Sequence, residues 1–216
     1  MRKLIILYLA VTSLISTGGK SAVDNLENSP RSTEIRFQES AIRANKSQVE
    51  SAETKQEVSY ELLMAEAIIN GDYNQAKYYE SLVTQENLTF ENLLWLAKII
   101  HVEAGSDWLT EEHRQLVASV LINRVNSPEF PKTVYEVIHQ KGQYALAGTK
   151  YLNDLIPSRK SVLSALEILV NGSVAPRDVV FQSTFKQGGG VYKSIYDSTL
   201  KTTTYFCYSS NRNLYK

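Results

Sequence analysis

The chain has 216 residues, 43% hydrophobic and 21% charged, with a formal net charge of zero. This is the composition of a globular protein with no basic excess, so no electrostatic attraction to nucleic acid is expected. Cys207 is the one cysteine, which excludes an internal disulfide, and the three scattered histidines lack metal-ligand spacing, so neither a metal nor another cofactor is expected.

Arg2 and Lys3 precede an apolar run from Leu4 to Ile15, followed by Ser16-Thr17-Gly18-Gly19. This layout predicts a secretory signal peptide over residues 1–19. The run is shorter than the roughly 20 residues that span a bilayer, and no later segment is apolar enough to do so. The expected location is therefore secreted, at the cell wall or otherwise outside the cytoplasm; the alternative is an uncleaved anchor. Residues 20–57 are rich in Ser, Glu, Asn, Lys and Gln without a sustained period, and read as a disordered linker. Residues 58–88 predict a helical hairpin, with helices over Tyr60–Ile69 and Tyr73–Leu82 around the stop Asn70-Gly71-Asp72. One such unit cannot bury its own face, and no second copy follows. It is expected to be a spacer packed near the next domain; the alternative is a docking site for a protein partner.

The third region, 89–216, is denser in signals. Leu93, Leu96, Ala97, Ile100 and Ala104 recur at helical spacing, with Thr89 as N-cap, Glu91 in the first turn and Gly105 as stop. Thr110 caps the next helix, which turns Leu116, Val117, Val120, Leu121 and Val125 inward and ends before Ser127-Pro128-Glu129-Phe130-Pro131. A short helix over Thr133–Gln140 and a long loop from Gly142 to about Pro157 follow. Ser158 caps a helix that turns Val162, Ala165, Leu166 and Leu169 inward and closes at Asn171-Gly172. Then the period changes: Val179–Gln182 and Thr202–Tyr208 predict strands, with a turn at Gly188-Gly189-Gly190. The fold class is α+β, mostly α, with a small terminal sheet.

Within this domain Glu103 is the first candidate for chemistry. It follows Ile100 by three residues and Leu96 by seven, so its carboxyl is predicted to project beside the apolar stripe, away from the wet face. Apolar neighbours and a helix C-terminus both disfavour its anion. A carboxylic acid held protonated near neutral pH is what general-acid cleavage of a glycosidic bond needs. The alternative is a partly buried Glu paired with a cation such as Lys98. Asn123 and Arg124 interrupt an apolar helix and are read as hydrogen-bonded supports that orient the Glu103 turn. Gln143 and Tyr144 are candidate sugar contacts, one by hydrogen bonding and one by stacking, with loop packing as the alternative. Phe181 and Gln182 either line a groove or fill the core. Asp107, Glu111 and Glu112 are the candidates for a second carboxylate; the last two already suit a helix start, and Asp107 is a supporting cap or polarising group. Cys207, in an aromatic run, is expected to be a buried, inert thiol.

The motifs His101-Val102-Glu103-Ala104-Gly105, Val117–Val125, Ser127–Thr133 and Val137–Tyr144 occur in this order. With the tail pieces Val179–Gln182 and Tyr205–Tyr208, they make the chain similar to the SleB-like cell wall hydrolases, the family of the spore cortex-lytic enzymes. The resemblance covers about Leu94 to Tyr208. It implies a lysozyme-like catalytic core over 89–216, peptidoglycan glycan strands as substrate and a single catalytic Glu at the position of Glu103. Where family members commonly read Glu-Ala-Arg-Gly-Glu, this chain has Glu103-Ala104-Gly105-Ser106-Asp107. With one acid, the 6-hydroxyl of muramic acid can serve as the internal nucleophile, as in a lytic transglycosylase. The alternatives are a muramidase-type hydrolase, which needs a second carboxylate, and a non-catalytic wall-binding or assembly protein.

Overall fold

A computed structural model describes residues 59–216; the signal peptide and linker expected before them lie outside the described residues. The described chain forms one compact unit of seven α-helices and a three-stranded antiparallel sheet, an α+β fold that is mostly α.

Helices α1 (Tyr60–Ile69) and α2 (Tyr73–Glu80) form the hairpin, capped by Ser59 and Asp72 and turned at Gly71 with φ +72°. Its apolar face does not stand alone: Met64, Ala65 and Ile68 are fully buried in the common core, and α1 packs on α7 and α3. Arg159 of α7 clamps Glu66 of α1 with both terminal guanidinium nitrogens, from outside that contact.

Helix α3 (Phe90–Ala104) is the axis of the fold. Thr89 Oγ1 accepts from the Asn92 amide, as an N-cap should. Leu93, Leu96, Ala97 and Ile100 are completely buried and Ala104 nearly so, as the spacing predicts. Phe90, Lys98 and Ile99 are buried too, because α3 is wrapped on several sides by α7, α4 and α5. Helix α4 (Glu111–Asn126) begins at the Thr110 cap and lies between α3, α7 and β1. Of its predicted inward residues, Leu116, Val117, Val120 and Leu121 are buried, while Val125 is only partly so. After α5 (Val134–His139) the expected loop contains a short helix α6 (Lys150–Asp154), capped by Thr149. Helix α7 (Arg159–Asn171) starts at the Ser158 cap and stops at Gly172, φ +90°.

The sheet order is β1-β3-β2, with β1 at Val179–Ser183, β2 at Val191–Asp197 and β3 at Thr202–Tyr208. Strand β2 was not expected. It is an edge strand whose burial alternates weakly, so Tyr192, Lys193 and Tyr196 obscure any period-2 signal. Between Val179 and Phe181 the β1–β3 register gains a residue on β1, a bulge at Val180. The bulge bends β1 where it passes α4 and re-aims the residues beyond it. Cys207 is fully buried with a free thiol, as expected.

Candidate active site

A cleft of about 340 Å³ opens between the C-terminus of α3, one side of α4, the loop after α5 and the end of β1. Glu103, Arg124, Gln143, Tyr144, Phe181 and Gln182 line it together. Residues 40 and 79 positions apart, Gln143 and Gln182 counted from Glu103, thus meet at one place, because α4 packs on both α3 and β1.

Glu103 enters from the last turn of α3. Its side chain is exposed, which corrects the expectation that it would avoid solvent: it opens onto the cleft and not into the core. Protein nevertheless crowds it on most sides. Desolvation is the largest influence on its carboxyl and pushes it above the ordinary Glu value. The Arg124 charge and a contact from Gln182 pull the other way without prevailing. That contact runs from Gln182 Nε2 to Glu103 Oε2 at 3.5 Å, the outer limit of a hydrogen bond.

The alternative partner, Lys98, is elsewhere. Its ammonium donates to the Asn153 carbonyl at 2.6 Å and sits over the Trp95 ring, 4.9 Å from the centroid. No described residue makes an ion pair with Glu103 within 4 Å.

Asn123 and Arg124 are buried supports, as read from the sequence, but they hold a strand and not the helix turn. Asn123 Nδ2 donates to the carbonyls of Pro176 (2.8 Å) and Val179 (3.0 Å). Arg124 Nε donates to the carbonyl of Val180, the bulged residue, at 2.6 Å. The backbone groups that the bulge removes from the ladder therefore find partners on α4, and Phe181 and Gln182 are set against Glu103. Arg124 then extends into the cleft, its guanidinium carbon 5.3 Å from the Phe130 ring centre and 5.5 Å from that of Tyr144.

Tyr144 lines the cleft but is only 7% exposed, so its ring offers little face for stacking; this corrects the expected stacking role. Burial pushes its phenol up, so it stays a donor at physiological pH. Gln143 is exposed at the rim and Phe181 half-buried within. Asp107 is not in the cleft. Its side chain is 91% exposed and pairs with Lys160 at 2.7 Å, which holds its carboxyl below the usual range.

Sequence reasoning missed three parts of this site. His113, from the first turn of α4, lies edge-on to Phe206 with ring centroids 5.7 Å apart; burial pulls its imidazole down and keeps it neutral. The turn after β1 adds Thr184 and an exposed Phe185. It doubles back at Gly188, φ +61°, where any Cβ would collide with the Tyr208 carbonyl and the Phe181 ring. None of these residues carries a local pattern that distinguishes it from packing or turn chemistry.

Glu103 is the one carboxylate of the cleft among the described residues. The other acids near α4 are engaged outside it: Glu111 accepts from Ser164 Oγ (2.7 Å) and Arg114 Nε (3.2 Å), and Glu112 pairs with Lys193. No cluster of His, Cys, Asp and Glu among the described residues could hold a metal ion.

Residues 110–205 match the model of a family described as Cell Wall Hydrolase. The match takes in α4, the loop after α5 and most of the sheet, with Asn123, Arg124, Gln143, Tyr144, Phe181 and Gln182; it begins after Glu103. No curated protein and no solved structure matches the chain. Over these residues the chain is similar to cell wall hydrolases, and the match supports an enzyme acting on cell wall peptidoglycan.

Proposed function

We propose that the protein is an exported enzyme that cleaves the bond between N-acetylmuramic acid and N-acetylglucosamine by lytic transglycosylation, with Glu103 as its single acid–base residue. The observation that carries this reading is the lone carboxylate of the cleft, desolvated enough to favour its protonated form. Glu103 donates its proton to the glycosidic oxygen as the bond from the muramic C1 breaks. The 6-hydroxyl oxygen of the same sugar attacks C1, and its proton passes to the Glu103 carboxylate, which restores the acid. The products are a new 4-hydroxyl end and a 1,6-anhydro sugar. Arg124 supports the half of the cycle in which Glu103 is ionised, since its charge favours the anion. An attached nucleophile gains from proximity and needs no second carboxylate.

A muramidase would need a second carboxyl about 5–9 Å away across the sugar. Asp107, Glu111 and Glu112 are committed elsewhere, which favours the transglycosylase. Export rests on the signal-peptide reading of residues 1–19. The resemblance to cortex-lytic enzymes makes spore cortex a candidate substrate beside vegetative wall, and the α1–α2 hairpin is a candidate partner surface.

The test is digestion of purified sacculi followed by mass spectrometry of the soluble muropeptides. Anhydromuramic ends, one water lighter than hydrolysed ends and unchanged by borohydride, are expected. Reducible ends alone would establish a muramidase, and no release of muropeptides would leave a wall-binding protein.

A further inference from the structure

Five buried side-chain polar atoms among the described residues lack a close hydrogen-bond partner, and four of them belong to residues that line the Glu103 cleft: His113 Nδ1, Arg124 Nη1, Tyr144 Oη and Gln182 Oε1. Such atoms are rare because each is costly to leave unmade, and four around one cavity mark a surface shaped for a polar ligand. His113, Arg124 and Tyr144 are each more than nine-tenths buried, so the cluster is built into the fold and is not a fringe of surface groups.

The chemistry of the four atoms is divided. Arg124 Nη1 and the Tyr144 hydroxyl are donors that lie together: the guanidinium packs against the Tyr144 ring and favours its phenol oxygen as an acceptor, which leaves the phenol O–H to donate. Gln182 Oε1 is an acceptor, because the other end of that amide points at Glu103. His113 Nδ1 donates or accepts according to its tautomer. A ligand that satisfies this set presents an acceptor to the donor pair and a donor to Gln182. A carboxylate suits Arg124 but meets the Gln182 oxygen and Glu103. A lone hydroxyl places both functions on one atom and cannot serve groups on α4, the loop and β1 at once.

We propose that Arg124, Tyr144 and Gln182 form a subsite for a secondary amide, the 2-acetamido group of the sugar whose linkage Glu103 protonates. The carbonyl oxygen accepts from Arg124 Nη1 and the Tyr144 hydroxyl, and the N–H donates to Gln182 Oε1. That group sits on the carbon next to the anomeric centre, so binding it beside Glu103 brings the glycosidic oxygen to the acid. The subsite rests on the glycan reading of the cleft given above.

The test uses the full chain carrying Glu103→Gln, so that bound sugar is not cleaved. Calorimetry compares chitotetraose with cellotetraose, a neutral β-1,4 tetramer with hydroxyls where chitotetraose has acetamido groups. Chitotetraose is expected to bind at least about tenfold tighter, the worth of one or two well-made hydrogen bonds. Adding Tyr144→Phe is expected to weaken chitotetraose several-fold and leave cellotetraose unchanged. A free stem-type peptide, which has amides without a sugar, should not displace chitotetraose. Equal binding of the two sugars, an equal loss for both in the Tyr144→Phe protein, or displacement by the peptide would overturn the subsite alone. Binding of neither sugar would overturn the glycan reading with it.

Discussion

Asn123→Ala is the substitution that most severely tests how the cleft is held. Asn123 is 4% exposed, and its one amide nitrogen serves two carbonyls, Pro176 at 2.8 Å and Val179 at 3.0 Å. Alanine removes this donor from both, and the Pro176 carbonyl keeps only the Val179 N–H at 2.9 Å. An unmade buried hydrogen bond costs about 1–3 kcal/mol, so a loss of about 1–3 kcal/mol is expected. For a unit of this size that corresponds to a fall in Tm of about 2–12 °C. Asn123→Asp should be worse at neutral pH, because a carboxylate would face two carbonyl oxygens. Urea unfolding followed by far-UV circular dichroism measures the effect, with a shifted midpoint and unchanged slope as the signature. The same bonds set the bulge beside Phe181 and Gln182, so cleavage of sacculi should slow at temperatures where the variant remains folded. An Asn123→Ala protein within about 0.5 kcal/mol of the parent, with unaltered activity, would refute this account of the α4–β1 tether.

Further outcomes follow from the site and the chain around it. Asp107→Asn should clear sacculi at the parent rate, since Asp107 is a solvent-exposed partner of Lys160 outside the cleft; a large loss would reopen the search for a second carboxylate. Activity should fall as pH rises through the elevated value of Glu103, because the acid form is then lost, and a profile flat to pH 9 would contradict it. The same elevation has a stability consequence: a raised carboxyl favours the fold below its unfolded value and loses that contribution as pH rises through the folded one. Glu103→Gln should therefore raise Tm relative to the parent near neutral pH and leave it unchanged near pH 4; equal shifts at both would refute the desolvation. Limited proteolysis should remove residues up to about 57 and leave a stable fragment that begins before Thr89; first cuts within α4 would place the domain boundary elsewhere.

The helices were legible because their signals are local. Thr89, Thr110, Thr133 and Ser158 each cap through their own side-chain oxygen, a bond made within three residues. The apolar stripe of α3 predicted its buried face for the same reason. Strand β2 was hidden because an edge strand exposed on much of its length loses the alternation that marks strands. The site was half legible. Glu103 stood out by its apolar neighbours, and Asn123 and Arg124 by being polar in an apolar helix. Their partners did not, since the carbonyls of Pro176, Val179 and Val180 are anonymous in sequence and meet α4 only once β1 is laid against it. Asp107 looked close because it is four residues from Glu103, yet the chain turns after α3 and Lys160 of α7 takes it away from the cleft. His113 and Phe185 join the site through packing of elements far apart in the chain, which no local period encodes.

The central claim is that one residue, Glu103, supplies the proton that breaks the glycan. Clearing of purified sacculi by the Glu103→Gln protein, beside the parent and with circular dichroism to confirm the fold, tests it most directly. The substitution keeps shape and hydrogen bonding but removes the transferable proton. The account predicts that clearing and muropeptide release are abolished while the protein stays folded and still binds the wall; clearing at the parent rate would contradict it.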